Sequence, residues 1–146
     1  MSKPLVTILT PSYNRAHTLP RVFESLKKQS FQDFEWLIID DGSTDDTGNL
    51  VKRFQQEADF DIRYYHQENQ HKFLTFFRGI DLAKGQYFSP LDSDDALPAD
   101  SLAILVQTWE SISDDMNIVF VSSLCEDQNG NIVGDQFPKM PLICSI

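Results

Sequence analysis

The amino-acid sequence predicts an α/β protein with a mostly parallel central sheet and helices on both faces. Short apolar runs alternate with segments whose apolar residues recur at helical spacing, beginning and ending with a strand. The run at residues 36–39 is apolar without alternation, which is typical of a parallel strand buried on both faces. Together these observations predict three layers, α/β/α, with the helices as the crossovers between strands.

The first half of the chain supplies two strand–helix pairs. A β-branched run at residues 5–9 predicts the first strand, and residues 34–39 predict the second. Apolar residues at helical spacing predict one helix to about Gln29, marked by Leu19, Val22, Phe23 and Leu26, and another marked by Leu50, Val51 and Phe54. Between them, Ser43 and Asp46 resemble a capping box at the start of the second helix.

The second half continues the pattern. Strands are predicted at residues 62–65, 87–88 and 118–121, and the turn at residues 127–131 predicts a hairpin that pairs Leu124 with residues 132–133. The third helix ends before Gly85, and Pro98 lies near the first turn of the fourth. Their core-facing residues are predicted from helical spacing: Phe73, Phe76, Phe77 and Ile80, then Leu102, Leu105, Val106 and Trp109. Residues 137–146 are apolar without a pattern.

Composition limits the classes of function. A chain of 146 residues with a net charge of −10 suits one domain and argues against nucleic acid or an anionic membrane as a partner. The only two cysteines, Cys125 and Cys144, lack metal-ligand spacing, which indicates a reduced, cytoplasmic protein, although a bridge between them stays open. The N-terminus runs directly into the first strand, so we expect no signal peptide or membrane span in this chain.

Acidic residues follow two of the predicted strands. Asp92, Asp94 and Asp95 come after the fourth strand, and Asp40 and Asp41 come after the second. Carboxyl ends of parallel strands meet at one edge of a sheet, where ligands bind, and clustered carboxylates suit a hard cation such as magnesium or manganese. A solvated loop that caps a helix is the alternative, and it is favoured for Asp95.

Other candidates at the same edge have two interpretations each. Only one of Asp40 and Asp41 is expected to reach a ligand, since successive side chains of a strand point to opposite faces. Tyr13 is suited either to stacking on a planar base or to covering the core. Lys72 and Arg78 are the nearest cations, although lone basic residues usually lie on solvated helix faces. The chain lacks the P-loop, dinucleotide-binding and nucleophile-elbow motifs.

Three segments, in order and at suitable spacing, resemble family 2 glycosyltransferases: VTILTPSYNR at residues 6–15, IIDDGSTDDT at 38–47 and AKGQYFSPLDSDD at 83–95. The resemblance implies a GT-A fold, a nucleotide-diphosphate sugar donor, commonly UDP-linked, and a divalent ion, Mn or Mg. It also implies transfer with inversion to a saccharide or lipid-linked acceptor in polysaccharide biosynthesis.

The resemblance assigns roles to individual residues. Pro11 and Tyr13 match positions beside the nucleobase, and Asp41 matches the acid that hydrogen-bonds the base. Asp92 and Asp94, with Ser93 between them, match the Asp-x-Asp pair that contacts the ribose and the metal-bound diphosphate. Lys72 is added to this donor-binding set as a partial substitute for family contacts that are missing here.

Two departures from the family qualify these roles. His71, Phe76 and Phe77 stand where the family often has a glycine and an Arg-Asn pair, and no acid matches the motif of the catalytic base. We therefore expect the base beyond Ile146, in a chain truncated at its C-terminus. Residues 1–109 would be its nucleotide-sugar-binding half and residues 117–146 the start of its acceptor half. A non-catalytic nucleotide-sugar-binding module and a nucleotidyltransferase are the alternatives.

Overall fold

Strands and helices alternate along the chain as the sequence predicts. The computed structural model describes residues 3–112 and 120–134. The chain divides into two compact units, residues 1–101 and 102–146. The first contains β1 (Val6–Ser12), α1 (Leu19–Lys27), β2 (Phe34–Asp40), α2 (Thr47–Glu57), β3 (Asp61–His66), α3 (His71–Leu82) and β4 (Tyr87–Pro90).

In the part of the chain that the structure describes, these four strands form one parallel sheet in the order β3-β2-β1-β4. The central strand β1 pairs with β2 from Val6 opposite Phe34 to Ser12 opposite Asp40. Its other edge pairs with β4, beginning with Val6 opposite Tyr87. The strand order reverses beside β1, and the carboxyl ends of β1 and β4 therefore flank the kind of crevice in which ligands bind.

An aromatic cluster fixes α1 and α2 on one face of the sheet. The Phe23 ring of α1 stacks on Phe54 of α2, with centroids 4.1 Å apart, and on Trp36 of β2, with centroids 6.3 Å apart. The indole N–H of buried Trp36 donates to Thr10 Oγ1 at 2.9 Å, which satisfies the one polar group of that ring. Helical spacing in the sequence predicts the inward residues of both helices correctly.

The opposite face carries α3, which packs closely because it has a glycine at the contact. A Cβ on Gly79 would lie 2.4 Å from Leu9 Cδ2, and buried Thr75 lies one turn before it. The prediction that Phe73, Phe77 and Ile80 face the core is wrong, since they are 70%, 49% and 43% exposed. The helix itself is predicted correctly, but its small residues Thr75 and Gly79 face the sheet. Of its three phenylalanines, only Phe76 packs against the core cluster of Leu9, Leu37 and Ile39.

A buried carboxylate connects the strands of the sheet to the segment that joins α3 to β4. Glu35 of β2 is fully buried and accepts hydrogen bonds from Thr7 Oγ1 at 2.6 Å and from the Lys84 N–H at 2.9 Å. Arg63 of β3 donates to both of its carboxylate oxygens, at 3.0 and 3.2 Å, and to the Leu82 carbonyl at 2.9 Å. The network therefore fixes the end of α3 and the start of β4 against the two central strands.

The remaining elements are α4 (Ser101–Glu110), β5 (Cys125–Glu126) and β6 (Ile132–Val133). Leu102 and Val106 of α4 are buried. A hairpin forms as predicted, but its first strand is Cys125–Glu126 and does not include Leu124, and Cys125 pairs with Val133. A fifth strand at residues 118–121 is not confirmed: residues 120–121 form no strand, and residues 118–119 lie outside the described residues, as do the 137–146 tail and Cys144. None of the helices in the described residues has the length and apolar character that a membrane span requires.

Candidate functional site

A cavity of about 470 Å³ lies at the carboxyl edge of the sheet, next to the reversal in strand order. Every residue that the sequence predicts for donor binding lines it: Pro11, Tyr13, Asp41, Lys72, Asp92, Ser93 and Asp94. The carboxyl end of β1, the loops after β1, β2 and β4 and the start of α3 supply them. This volume is in the range of small-molecule sites. The structure therefore brings the predicted residues together, while the role of each stays a prediction.

Alternation along β2 separates the two adjacent acids. Asp40 turns away from the cavity, accepting from the Ser43 N–H at 2.8 Å and from the hydroxyl of Tyr64. Asp41 lines the cavity and accepts from Gln67 Nε2 at 2.7 Å and the Gln70 N–H at 2.9 Å. Burial disfavours the charged form of Asp41, but these hydrogen bonds outweigh burial and lower the pKa of its carboxyl. Asp41 is thus a charged acceptor at neutral pH.

The loops after β1 and β2 are fastened to each other. Asn14, in the left-handed conformation with φ of 52°, donates its N–H to Ser43 Oγ at 2.8 Å and accepts from the Thr44 N–H at 2.8 Å. Ser43 therefore binds the neighbouring loop, and the predicted capping box is wrong: the N-cap Asp46 of α2 makes no side-chain capping bond. The fastening holds Tyr13, which is 50% exposed at the cavity and so does not cover the core.

Each carboxylate of the Asp-x-Asp segment faces a cation across the cavity. Lys72 Nζ lies 2.8 Å from Asp92, and Arg15 Nη2 lies 3.9 Å from Asp94 Oδ2. Nowhere in residues 3–112 and 120–134 do three His, Cys, Asp or Glu side chains gather into a metal cage. Two partly exposed carboxylates still fit a magnesium or manganese ion of the kind that takes its remaining ligands from water and substrate phosphates. Asp92 and Asp94 are therefore the residues that would hold it.

Sequence reasoning missed several cavity residues: Ser12, Arg15, Asn69, His71 and Thr75. His71 is a non-glycine residue with φ of 70°, a conformation that favours glycine. The signal for it was present, because His71 stands where the resembling family often has glycine. The sequence carried no such signal for Ser12. In the structure its Oγ is buried and has no hydrogen-bond partner among the described residues.

Ser12→Ala is expected to leave the free energy of unfolding within about 0.5 kcal/mol of wild type, since the lost hydroxyl makes no internal hydrogen bond. The matched change on the same strand, Thr10→Val, is expected to cost about 1–3 kcal/mol, because the buried Trp36 N–H then loses its acceptor. Urea unfolding measures both values. A Ser12→Ala loss as large as that of Thr10→Val would contradict the absence of a hydrogen-bond partner for Ser12 Oγ in the described chain.

The sequence profile of glycosyl transferase family 2 matches residues 7–140. Glycosyltransferase GlyG of Streptococcus pneumoniae is 35% identical over 104 residues, which cover 70% of this chain and 34% of that protein. The GalNAc(5)-diNAcBac-PP-undecaprenol beta-1,3-glucosyltransferase of Campylobacter jejuni is 32% identical over 106 residues, with 71% and 34% covered. The chain thus spans about a third of these relatives.

Two solved structures resemble the fold. S. aureus TarS 1-349 in complex with UDP gives a TM-score of 0.67 at 23% identity, covering 72% of this chain and 32% of TarS. The Pyrobaculum calidifontis mannosyltransferase PcManGT in complex with GDP-Man and Mn²⁺ gives 0.68 at 22% identity, covering 77% and 34%. The sheet is that of the GT-A glycosyltransferases, and the match over residues 7–140 shows that the chain belongs to glycosyl transferase family 2.

Proposed function

We propose that the cavity binds a nucleotide-diphosphate sugar, UDP-linked, and that the enzyme transfers the sugar with inversion to an acceptor hydroxyl, assisted by manganese or magnesium. The observation that carries the proposal is the convergence of Asp41, Asp92 and Asp94 on one cavity that also contains Arg15 and Lys72. A nucleotide-diphosphate sugar requires hydrogen-bond acceptors for its base, ligands for its cation and hydrogen-bond donors for its phosphates.

The nucleotide is assigned to the part of the cavity near β1 and β2. Tyr13 offers a half-exposed ring for stacking beside Pro11, and Asp41 offers an acceptor for a base N–H. The two similar structures support nucleotide binding in general, because the TarS structure contains UDP and the PcManGT structure contains GDP-Man.

The diphosphate is assigned to the part between β4 and α3. In the free chain Lys72 and Arg15 neutralise Asp92 and Asp94. When donor and cation bind, the cation would replace the basic side chains as the positive partner of the two carboxylates. We therefore expect both basic side chains to turn to the phosphate oxygens. The bound cation would supply Lewis-acid stabilisation of the leaving diphosphate. Ser93 is buried between the two acids and lines the cavity.

Transfer with inversion needs attack by an acceptor oxygen on the face of the anomeric carbon opposite the diphosphate. The new C–O bond forms as the bond to the diphosphate breaks, and the hydroxyl proton passes to a base. We assign no residue of the described chain to that base. The Campylobacter relative is named for a polyprenol-linked acceptor, which supports a lipid-linked or saccharide acceptor. A role in polysaccharide biosynthesis in the cytoplasm is part of the proposal.

Calorimetric titration of the chain with UDP, GDP, CDP and ADP, with and without Mn²⁺, tests donor binding. We expect UDP to bind and Mn²⁺ to strengthen its binding. The Asp41→Asn variant should bind UDP about tenfold more weakly in both conditions, since a carboxylate acceptor is lost. Binding of none of the four nucleotides would overturn the proposal.

Transfer itself is tested by incubating UDP-sugars with saccharide and polyprenyl-phosphate acceptors and determining the anomeric configuration of any product by NMR. A product of inverted configuration supports the proposed reaction, and one of retained configuration overturns inversion. Nucleotide binding without transfer to any acceptor would favour a donor-binding module over an enzyme.

A further inference from the structure

The buried side chain of Gln67 lies between Asp41 and Arg78. Gln67 is the first residue after β3, and its N–H donates to the Asp40 carbonyl at 2.9 Å. Its amide Nε2 donates to Asp41 Oδ1 at 2.7 Å, and its Oε1 accepts from Arg78 Nη1 at 2.6 Å. One amide thus connects a carboxylate that lines the cavity to a guanidinium on α3.

The charges at its two ends determine which way the Gln67 amide points. A guanidinium only donates hydrogen bonds, and an ionised carboxylate only accepts them. The reverse orientation would set the amide oxygen against Asp41 and the NH₂ group against Arg78, so both bonds would be lost at once. Arg78 therefore fixes the NH₂ group of Gln67 toward Asp41.

Thr75 completes the arrangement. Gln67 Nε2 also donates to Thr75 Oγ1 at 3.0 Å, and the Thr75 hydroxyl donates to the His71 carbonyl at 3.1 Å. Both hydrogens of the Gln67 amide are therefore in use within the protein. The Gln70 N–H, at 2.9 Å, is a second donor to the same oxygen of Asp41. These donors hold Asp41 in place as an acceptor.

We propose that Gln67 and Arg78 are positioning residues that fix Asp41 as an acceptor and thereby select a nucleobase that presents a ring N–H, uracil rather than cytosine. This inference rests on the proposed nucleotide-sugar function. Uracil carries a donor at N3, whereas cytosine has an acceptor there. An acceptor held in front of that position gains a hydrogen bond with uracil and meets an unpaired acceptor with cytosine.

The affinities of UDP and CDP, measured by calorimetry with Mn²⁺ present, test the proposal. Wild type is expected to prefer UDP by at least about tenfold, the scale of one mispaired buried polar group. In Gln67→Leu and Arg78→Met, UDP binding should weaken about tenfold and the preference should fall toward one. Arg78→Lys, which keeps a donor for Gln67 Oε1, should restore most of the preference.

Two matched variants separate this effect from general damage. Gln55→Leu removes a glutamine that donates to the Ile62 carbonyl, and Arg53→Met removes an arginine paired with Asp46, both on α2. Both should keep the wild-type preference. Arg78 is exposed, so its replacement is not expected to unfold the chain even if Gln67→Leu does.

The outcomes distinguish the two proposals. A wild-type chain that binds no nucleotide would overturn the proposed function. A wild-type chain that binds UDP and CDP equally, or an Arg78→Met variant with undiminished preference for UDP, would overturn the selection role of Gln67 and Arg78 alone.

Discussion

Asp94→Asn is expected to weaken Mn²⁺-dependent binding of UDP by at least about 100-fold while leaving the fold intact. The Asp94 carboxylate is about half exposed, and Arg15, at 3.9 Å, is its only ion-pair partner in the described chain. Its loss should therefore change stability little. Without its charge, the cavity loses one of the two carboxylates proposed to hold the cation, and loss of even an outer-shell partner lowers metal affinity 10–100-fold. Calorimetry of UDP with and without Mn²⁺ measures the effect.

Asp95→Asn is the matched control, because Asp95 is adjacent in sequence and exposed but does not line the cavity. It should bind UDP and Mn²⁺ as wild type does. Binding of UDP without metal should be similar in all three proteins. An Asp94→Asn variant that keeps the wild-type response to Mn²⁺ would contradict the metal assignment.

The sheet and the acidic residues that line the cavity could be predicted because both depend on local sequence. Apolar runs such as residues 36–39 mark buried parallel strands wherever they occur. Once the strands are parallel, residues that directly follow them, such as Asp41 and Asp92, lie at one edge without any knowledge of side-chain packing. The alternation rule also separates Asp40 from Asp41 correctly.

The rest depends on contacts between distant segments. The apolar residues of α3 predict its helical period. The face that meets the sheet, however, depends on the close packing that Gly79 permits, since a Cβ at this position would lie 2.4 Å from Leu9 Cδ2. Gln67 and Arg78 are eleven positions apart and look like ordinary surface residues until β3 and α3 bring them together. Glu35 likewise interrupts an apolar strand, and only Arg63, twenty-eight residues later, explains it.

Glu35→Gln is expected to lower the free energy of unfolding at neutral pH by about 3 kcal/mol, the lower end for breaking a buried ion pair. Arg63 is 14% exposed and would lose its carboxylate partner, while an amide NH₂ would face the donors Thr7 and Lys84. Burial opposes the charge of Glu35, yet hydrogen bonds from Thr7, Lys84 and Arg63 outweigh it and lower the pKa of the carboxyl below its ordinary value. Urea unfolding of both proteins measures the difference.

The pH dependence separates this pair from a packing defect. Because the folded-state pKa of Glu35 is the lower one, its contribution is complete above the unfolded pKa and is lost as pH falls through the folded pKa. The difference in the free energy of unfolding between wild type and Glu35→Gln should therefore become smaller as the pH falls. A difference caused by a packing defect would not change with pH. Glu24→Gln, which removes an exposed partner of Lys27, should cost at most about 1 kcal/mol. Equal losses of stability in Glu35→Gln and Glu24→Gln would contradict a stabilising role for the buried Glu35–Arg63 pair. A difference between wild type and Glu35→Gln that does not depend on pH would contradict it as well.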